Sequence, residues 1–144
     1  GLYNAGASDY ALELMTSIHD RSWWNMIKVG STITMEAWDM KYKPNSDWNH
    51  AWGAAPASII PGFMWGIAPA VPGFAKCIIR PQPGSLKYST ITVPTIRGPV
   101  NAEFRDTGKS KKFMISLPGN MECDFITPEG KTIKLSPGVN RIVL

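Results

Sequence analysis

Hydrophobic positions near the start of the chain recur at helical spacing. The stretch "SDYALELMTSIHD" places apolar residues three or four positions apart, and Ser8 stands where an N-cap belongs. The stretch "SWWNMIKVG" repeats this arrangement in a shorter form, with Ser22 as its cap and Gly30 at its stop. The pattern therefore predicts two short helices within the first thirty residues.

The next thirty residues predict a mixture of extended, loop and helical structure. "STITM" is rich in β-branched residues and predicts an extended segment, whereas "KYKPNSD" is typical of a loop. Ser46 or Asp47 is positioned to cap a third helix over "WNHAWGAA". Pro56 must break or restart that helix. Beyond it, "IIPGFMWGI" predicts a further apolar turn.

After about residue 73 the spacing changes to that of short strands. Gly, Pro and charged residues separate the strands, and "TPEGKTIKLSPG" is a good hairpin signal. Seven strands at hairpin spacing predict an antiparallel β-sandwich. The predicted strands are "AKCIIRP", "SLKYSTITVP", "PVNAEFRD", "KFMISLP", "ECDFITP", "KTIKLSP" and "NRIVL".

Composition and charge divide the chain at the same place. All six tryptophans precede residue 66. Residues 1–72 carry four Lys or Arg against six Asp or Glu, whereas residues 73–144 carry eleven against five. This break near residue 72 predicts two units. The first, Trp-rich unit would leave an apolar face that the sandwich or helices outside this chain must cover, and we favour the second.

Several function classes find little support. The cluster of lysines near residue 110 is typical of a solvated hairpin turn, so no nucleic-acid partner is expected. The uncharged run over residues 51–75 is interrupted by prolines and glycines, so no membrane span is expected either. No zinc-ligand spacing or phosphate-binding glycine motif is present, so no metal or cofactor is expected. Cys77 and Cys123 lie in different strands, as two buried thiols or as one bridge.

The stretch "TMEAWDMKYKPNSDWNHAWG" concentrates the candidate chemistry. Glu36 beside large aromatics suits a proton acceptor with a raised pKa, although a surface glutamate explains the same pattern. His50 can bond a sugar hydroxyl or serve a structural role. Trp38 and Trp52, like Trp48, offer flat faces that suit a sugar ring or fill a core. Asp39 and Asp47 are candidates for a second carboxylate, but the Glu36–Asp39 spacing leaves no obvious room for a ring between them.

The motifs together resemble the C-terminal part of bacterial α-L-rhamnosidases, glycoside hydrolase family 78. They are a Gly-x-Thr-x-x-x-Glu-x-Trp-Asp-like stretch, Asn-His-x-x-Gly, Gly-Ile-x-Pro and Pro-Gly-Phe, over residues 30–39, 49–53, 66–69 and 72–74. The resemblance is good over residues 1–105 and looser beyond. It implies a mixed α and β fold, in which residues 1–72 form the last helices of an (α/α)6 barrel and residues 73–144 form an antiparallel β-sandwich.

The same resemblance implies a role for particular residues. Glu36 matches the family's general base in inverting hydrolysis of terminal α-L-rhamnosyl groups, and His50 matches a histidine that contacts rhamnose. The general acid belongs to earlier barrel helices. The implied partners are a rhamnose-containing oligosaccharide or glycoside and the remainder of the barrel.

These implications lead to expectations about the chain alone. The sequence opens without Met on the approach to a helix, so we expect a piece of a longer protein that is inactive by itself. The compartment is not readable from this chain, and the family's frequent export predicts a periplasmic or secreted enzyme. The alternative function is a non-catalytic carbohydrate-binding or structural sandwich module.

Overall fold

A computed structural model describes all residues from Gly1 to Leu144. The chain divides into two compact units, Gly1–Ile59 and Ile60–Leu144. The first unit contains short helices and the second contains two four-stranded sheets, which confirms the predicted mixed α and β fold class. No helix combines the length and apolar content that crossing a bilayer requires.

The first unit begins with the two predicted helices. A 3₁₀ turn over Tyr3–Ala5 precedes α1 (Ser8–Thr16) and α2 (Trp23–Lys28). The Ser22 hydroxyl accepts a hydrogen bond from the Asn25 N–H at 3.2 Å, so its predicted capping role is confirmed. The predicted cap at Ser8 is wrong, because α1 begins at that residue and its preceding position carries no side-chain cap.

The third helical segment starts later than the sequence predicts. It comprises a 3₁₀ turn over Ala51–Ala54 and α3 (Ala55–Ile59), which places Pro56 in the first turn of α3, where a missing N–H is tolerated. Ser46 and Asp47 do not cap it. The Ser46 hydroxyl accepts from the Ala37 N–H at 3.2 Å, and the Asp47 carboxylate accepts from the Asn49 N–H at 2.9 Å.

The second unit begins with an apolar π-helical turn over Ile60–Met64 and continues as a β-sandwich. The strands are β1 (Ile67–Pro69), β2 (Lys76–Ile79), β3 (Tyr88–Val93), β4 (Val100–Asp106), β5 (Lys111–Leu117), β6 (Glu122–Ile126), β7 (Thr132–Leu135) and β8 (Gly138–Val143). All seven predicted strands are present, the β6–β7 hairpin among them, and β1 is added. One sheet has the order β1-β2-β6-β7 and the other β3-β4-β5-β8.

All strand pairs are antiparallel except β2 with β6, which run parallel. This parallel pair aligns Cys77 with Cys123, and both are buried free thiols. Three phenylalanines join the two sheets, since the rings of Phe104 and Phe113 lie 5.0 Å apart and those of Phe113 and Phe125 lie 5.1 Å apart. Alternating inward residues therefore build one apolar core, as a sandwich requires.

The first unit has a small core and a large exposed apolar surface. Tyr3, Ala11, Met26 and Met35 are its buried apolar residues. Many other apolar side chains of α1, α2 and the following loops are exposed, including Tyr10, Leu14, Ile18, Trp24, Ile27, Ile33, Trp48 and Trp52. Apolar surface on this scale is typical of a face that another structure covers.

Candidate active site

Two stretches of the first unit run antiparallel on either side of a loop. The Glu36 N–H donates to the Asp47 carbonyl oxygen at 2.8 Å, and the His50 N–H donates to the Thr34 carbonyl oxygen at 2.8 Å. The Thr34 hydroxyl returns a bond to the His50 carbonyl oxygen at 2.7 Å. These bonds fix the backbone of Glu36 and of His50 within one small frame.

Gly53 packs directly against the segment that contains Thr34 and Met35. A Cβ added to this residue would lie 2.8 Å from the Met35 carbonyl oxygen and 2.8 Å from the Thr34 Cβ. On its other side, the Trp23 indole N–H donates to the Gly53 carbonyl oxygen at 2.6 Å. Met35 is almost completely buried, so the chain here has no room for a side chain at Gly53.

The Glu36 carboxylate is held at both oxygens. Its Oε1 forms an ion pair with the Lys43 ammonium, and its Oε2 accepts from the Asp47 N–H at 3.2 Å. The side chain is 28% exposed, so its remaining lone pairs are accessible to a water molecule or a ligand. Glu36 thus combines a fixed orientation with access from solution.

The charge state of Glu36 differs from the expectation based on its aromatic neighbours. The Lys43 ammonium, and after it the Asp47 N–H, hold the pKa of the Glu36 carboxyl below its usual value, and the His50 side chain adds a smaller effect in the same direction. The expected rise in pKa is therefore wrong, because a cation and a donor outweigh the desolvation of this surface group. Glu36 is ionised at neutral pH, as a proton acceptor must be.

Asp39 and Asp47 are engaged in local structure. The Asp39 carboxylate accepts from the Lys41 N–H at 3.0 Å and from the Asn25 side-chain amide at 3.1 Å, and these two bonds, the first more than the second, lower the pKa of Asp39. The Asp47 carboxylate folds back on the Asn49 N–H. Neither carboxylate is linked to Glu36 through its side chain.

The candidate sugar-binding residues fall into two groups. The rings of His50 and Trp52 meet edge to face at 5.5 Å, and Trp52 is 88% exposed. Trp38 is half-buried and instead packs edge to face on Trp23 at 5.0 Å. Trp52 thus presents an open ring beside His50, whereas Trp38 contributes mainly to packing.

Sequence reasoning missed Lys43 and Asn25. Lys43 lies in a stretch typical of a loop, and nothing in its local pattern indicates that the loop returns to Glu36. Asn25 lies within the predicted second helix, where its side chain reaches forward to the Trp38 carbonyl oxygen at 2.9 Å as well as to Asp39. Contacts between residues this far apart in sequence carry no local signal.

Two curated relatives match most of this chain. An α-L-rhamnosidase from Alteromonas sp. (strain LOR) is 29% identical over 136 residues, which cover 88% of this chain and 15% of the relative. An α-L-rhamnosidase from Streptomyces avermitilis is 26% identical over 136 residues, which cover 88% of this chain and 13% of the relative. The chain therefore spans about one seventh of the length of these relatives.

Solved structures share the fold over nearly the whole chain. The native α-L-rhamnosidase of Aspergillus terreus superposes with a TM-score of 0.87 at 22% identity, covering 99% of this chain and 18% of that one. The Streptomyces avermitilis α-L-rhamnosidase, solved in complex with L-rhamnose, gives a TM-score of 0.85 at 22% identity, covering 99% and 16%.

Two family models match consecutive parts of the sequence. Residues 1–62 match the bacterial α-L-rhamnosidase six-hairpin glycosidase domain, and residues 66–139 match the bacterial α-L-rhamnosidase C-terminal domain. Together the two matches leave only a few residues unassigned, at the junction and at the end. The chain therefore belongs to the bacterial α-L-rhamnosidase family, with a segment of the six-hairpin glycosidase domain followed by the family's C-terminal domain.

Proposed function

We propose that this chain is the C-terminal part of an α-L-rhamnosidase that releases terminal α-L-rhamnosyl groups from rhamnose-containing oligosaccharides or glycosides. Both curated relatives carry the name α-L-rhamnosidase, and the Streptomyces structure contains L-rhamnose. The observation that carries the proposal is the Glu36 carboxylate, which the Lys43 ammonium and the Asp47 N–H hold on a surface open to solution.

In the proposed mechanism, Glu36 is the general base. Its carboxylate accepts a proton from a water molecule as the water oxygen attacks the anomeric carbon, and the configuration at that carbon is inverted. A carboxylic acid outside this chain protonates the departing glycosidic oxygen. Turnover requires both groups, because the base accepts the proton of the attacking water and the acid supplies the proton that the departing oxygen needs.

His50 and two tryptophans are proposed to bind the sugar. The His50 imidazole is suited to bond a rhamnose hydroxyl, since its backbone is already fixed by Thr34. Trp52 offers an exposed ring for the apolar face of the sugar. Trp38 is proposed as a second wall, whose position depends on its packing against Trp23.

We propose domain roles to match. The first unit belongs to the catalytic barrel, whose remaining helices cover its exposed apolar face, and the sandwich of the second unit has a structural role. Tyr88 is an exposed aromatic residue of β3 in this sandwich, and the Arg105 guanidinium covers its ring at 4.6 Å. A covered ring makes a poor stacking platform, which disfavours glycan binding by this sheet.

The proposal is tested by the stereochemistry of the product. The full-length enzyme containing this chain should hydrolyse an aryl α-L-rhamnoside, and proton NMR of the first turnovers should show β-L-rhamnose before mutarotation. Early α-L-rhamnose would contradict the inverting mechanism and the role of Glu36 as base. Failure to cleave any α-L-rhamnoside would contradict the proposed substrate.

A further inference from the structure

The Glu36 carboxylate has a cationic neighbour that the proposed mechanism does not use. Lys43 lies seven positions further along the chain, and its ammonium contacts Oε1 of Glu36. The Asp47 N–H occupies the other oxygen at 3.2 Å. A carboxylate held at both oxygens cannot rotate freely about its last torsion, so its remaining lone pairs point in fixed directions.

The loop that carries Lys43 is anchored at its start by a buried side chain. Asn25 donates one amide hydrogen to the Trp38 carbonyl oxygen at 2.9 Å and the other to the Asp39 carboxylate at 3.1 Å. Asn25 is only 7% exposed, so these bonds are shielded from competing water. These two bonds therefore fix the direction in which the chain enters the loop after Asp39.

The same loop is anchored again directly before Lys43. The Asp20 carboxylate accepts from the Lys41 ammonium at 2.6 Å and from the Tyr42 hydroxyl at 2.6 Å. The Arg21 guanidinium covers the Tyr42 ring at 4.6 Å. Since its two preceding residues are tied to the segment before α2, Lys43 is directed toward Glu36 by the fold of the loop.

The contact between Lys43 and Glu36 is not explained by a contribution to the stability of the fold. Ion pairs between solvent-accessible side chains add little to stability, and the Lys43 and Glu36 side chains are 40% and 28% exposed. The groups whose charge acts on Glu36 are Lys43, from the loop, and His50, from the paired stretch. Of these two groups, Lys43 is the one that directly contacts the Glu36 carboxylate, and it has the larger effect on the pKa of that carboxyl.

We infer that Lys43 is a positioning residue of the hydrolytic reaction, which fixes the Glu36 carboxylate between its ammonium and the Asp47 N–H. This inference rests on the proposed function of Glu36 as general base. Lys43 takes no proton and touches no reacting atom. It restrains the base in one orientation, and its charge favours the ionised form that accepts a proton from water.

The pH dependence of the reaction gives a readout that a structural role of Lys43 would not change. Hydrolysis requires ionised Glu36, so the rate falls as the pH drops through the pKa of this carboxyl. Lys43 lowers that pKa, and removing its charge raises it. The acidic limb of the kcat/KM profile should therefore move to higher pH when Lys43 is neutral.

The experiment compares variants of the full-length enzyme on an aryl α-L-rhamnoside across the acidic pH range. Lys43→Met removes the ammonium, Lys43→Arg retains a cation, and Lys43→Gln replaces Lys43→Met if the latter does not fold. Lys28→Met is the matched control, because it removes an exposed lysine of α2 that forms no salt bridge. Glu36→Gln serves as the reference for loss of the base.

The expected result is an acidic limb at higher pH and a kcat about ten- to a hundredfold lower for Lys43→Met. Lys43→Arg should keep the limb at the wild-type pH, and Lys28→Met should leave it in place. If Glu36→Gln abolishes activity while the limb of Lys43→Met stays at the wild-type pH, the inference about Lys43 is overturned and the proposed function stands. If Glu36→Gln remains active, both are overturned.

Discussion

Gly53 provides a test of how closely the candidate site is packed. Replacing it with alanine adds one methyl group at the point where its backbone meets the Thr34–Met35 segment. That methyl carbon would lie 2.8 Å from both the Met35 carbonyl oxygen and the Thr34 Cβ, whereas ordinary contact begins near 3.4 Å. The segments must therefore separate by about 0.6 Å.

The surroundings resist this separation. Met35 is 1% exposed and cannot move outward without opening the core of the first unit, and the Trp23 indole holds the Gly53 carbonyl oxygen from the other side. Overpacking of this kind typically costs about 1–3 kcal/mol. Gly53 has no left-handed backbone conformation to add to this cost, so the whole effect comes from the contact.

The effect is measurable by urea unfolding monitored through tryptophan fluorescence, because five of the six tryptophans lie in the first unit. Gly119→Ala is the matched control, since a Cβ there meets nothing within 4 Å. It should leave stability unchanged or raise it by up to about 1 kcal/mol. If Gly53→Ala unfolds at the same urea concentration as the wild type, the close approach of Gly53 to Thr34 is refuted.

Two further predictions concern the sandwich and the chain alone. Gly66→Ala should destabilise the second unit by about 2–4 kcal/mol, because Gly66 has φ of +63° and a Cβ there would overlap the Arg80 carbonyl oxygen. Gly108 has φ of +78° and open space around it, so Gly108→Ala should lower the free energy of unfolding by only about 1–2 kcal/mol. Equal melting temperatures for the Gly66→Ala and Gly108→Ala variants would contradict the clash at Gly66. The 144-residue chain alone should not hydrolyse an aryl α-L-rhamnoside, because it supplies a base without an acid; turnover above buffer would contradict that reasoning.

Local signals predicted much of the fold. The N-cap at Ser22 and the stop at Gly30 define α2, because both act within one helical turn. The seven predicted strands follow from alternation and from turn residues that lie beside them in sequence. The strand β1 was missed because it is three residues long, ends at Pro69 and lies within an uncharged run.

Non-local contacts account for the features that the sequence did not predict. The parallel pairing of β2 with β6 joins strands more than forty residues apart, and no residue pattern within either strand distinguishes it from an antiparallel pair. Ser46 has the properties of a cap, but the Ala37 N–H competes for its hydroxyl from across the loop. The motifs identified Glu36 and His50 as candidates. The contact between Lys43 and Glu36 depends on the path of the loop between them, which no local pattern predicts.

The most direct test of the account is chemical rescue of the Glu36→Gln variant in the full-length enzyme. The substitution keeps the shape of the side chain and removes its ability to accept a proton. On an aryl α-L-rhamnoside, kcat should fall by about 10²–10⁴-fold with an unchanged melting temperature. Azide, a nucleophile that needs no base, should restore turnover and form the β-L-rhamnosyl azide. If the variant hydrolyses the substrate at the wild-type rate, Glu36 is not the general base and the central claim is contradicted.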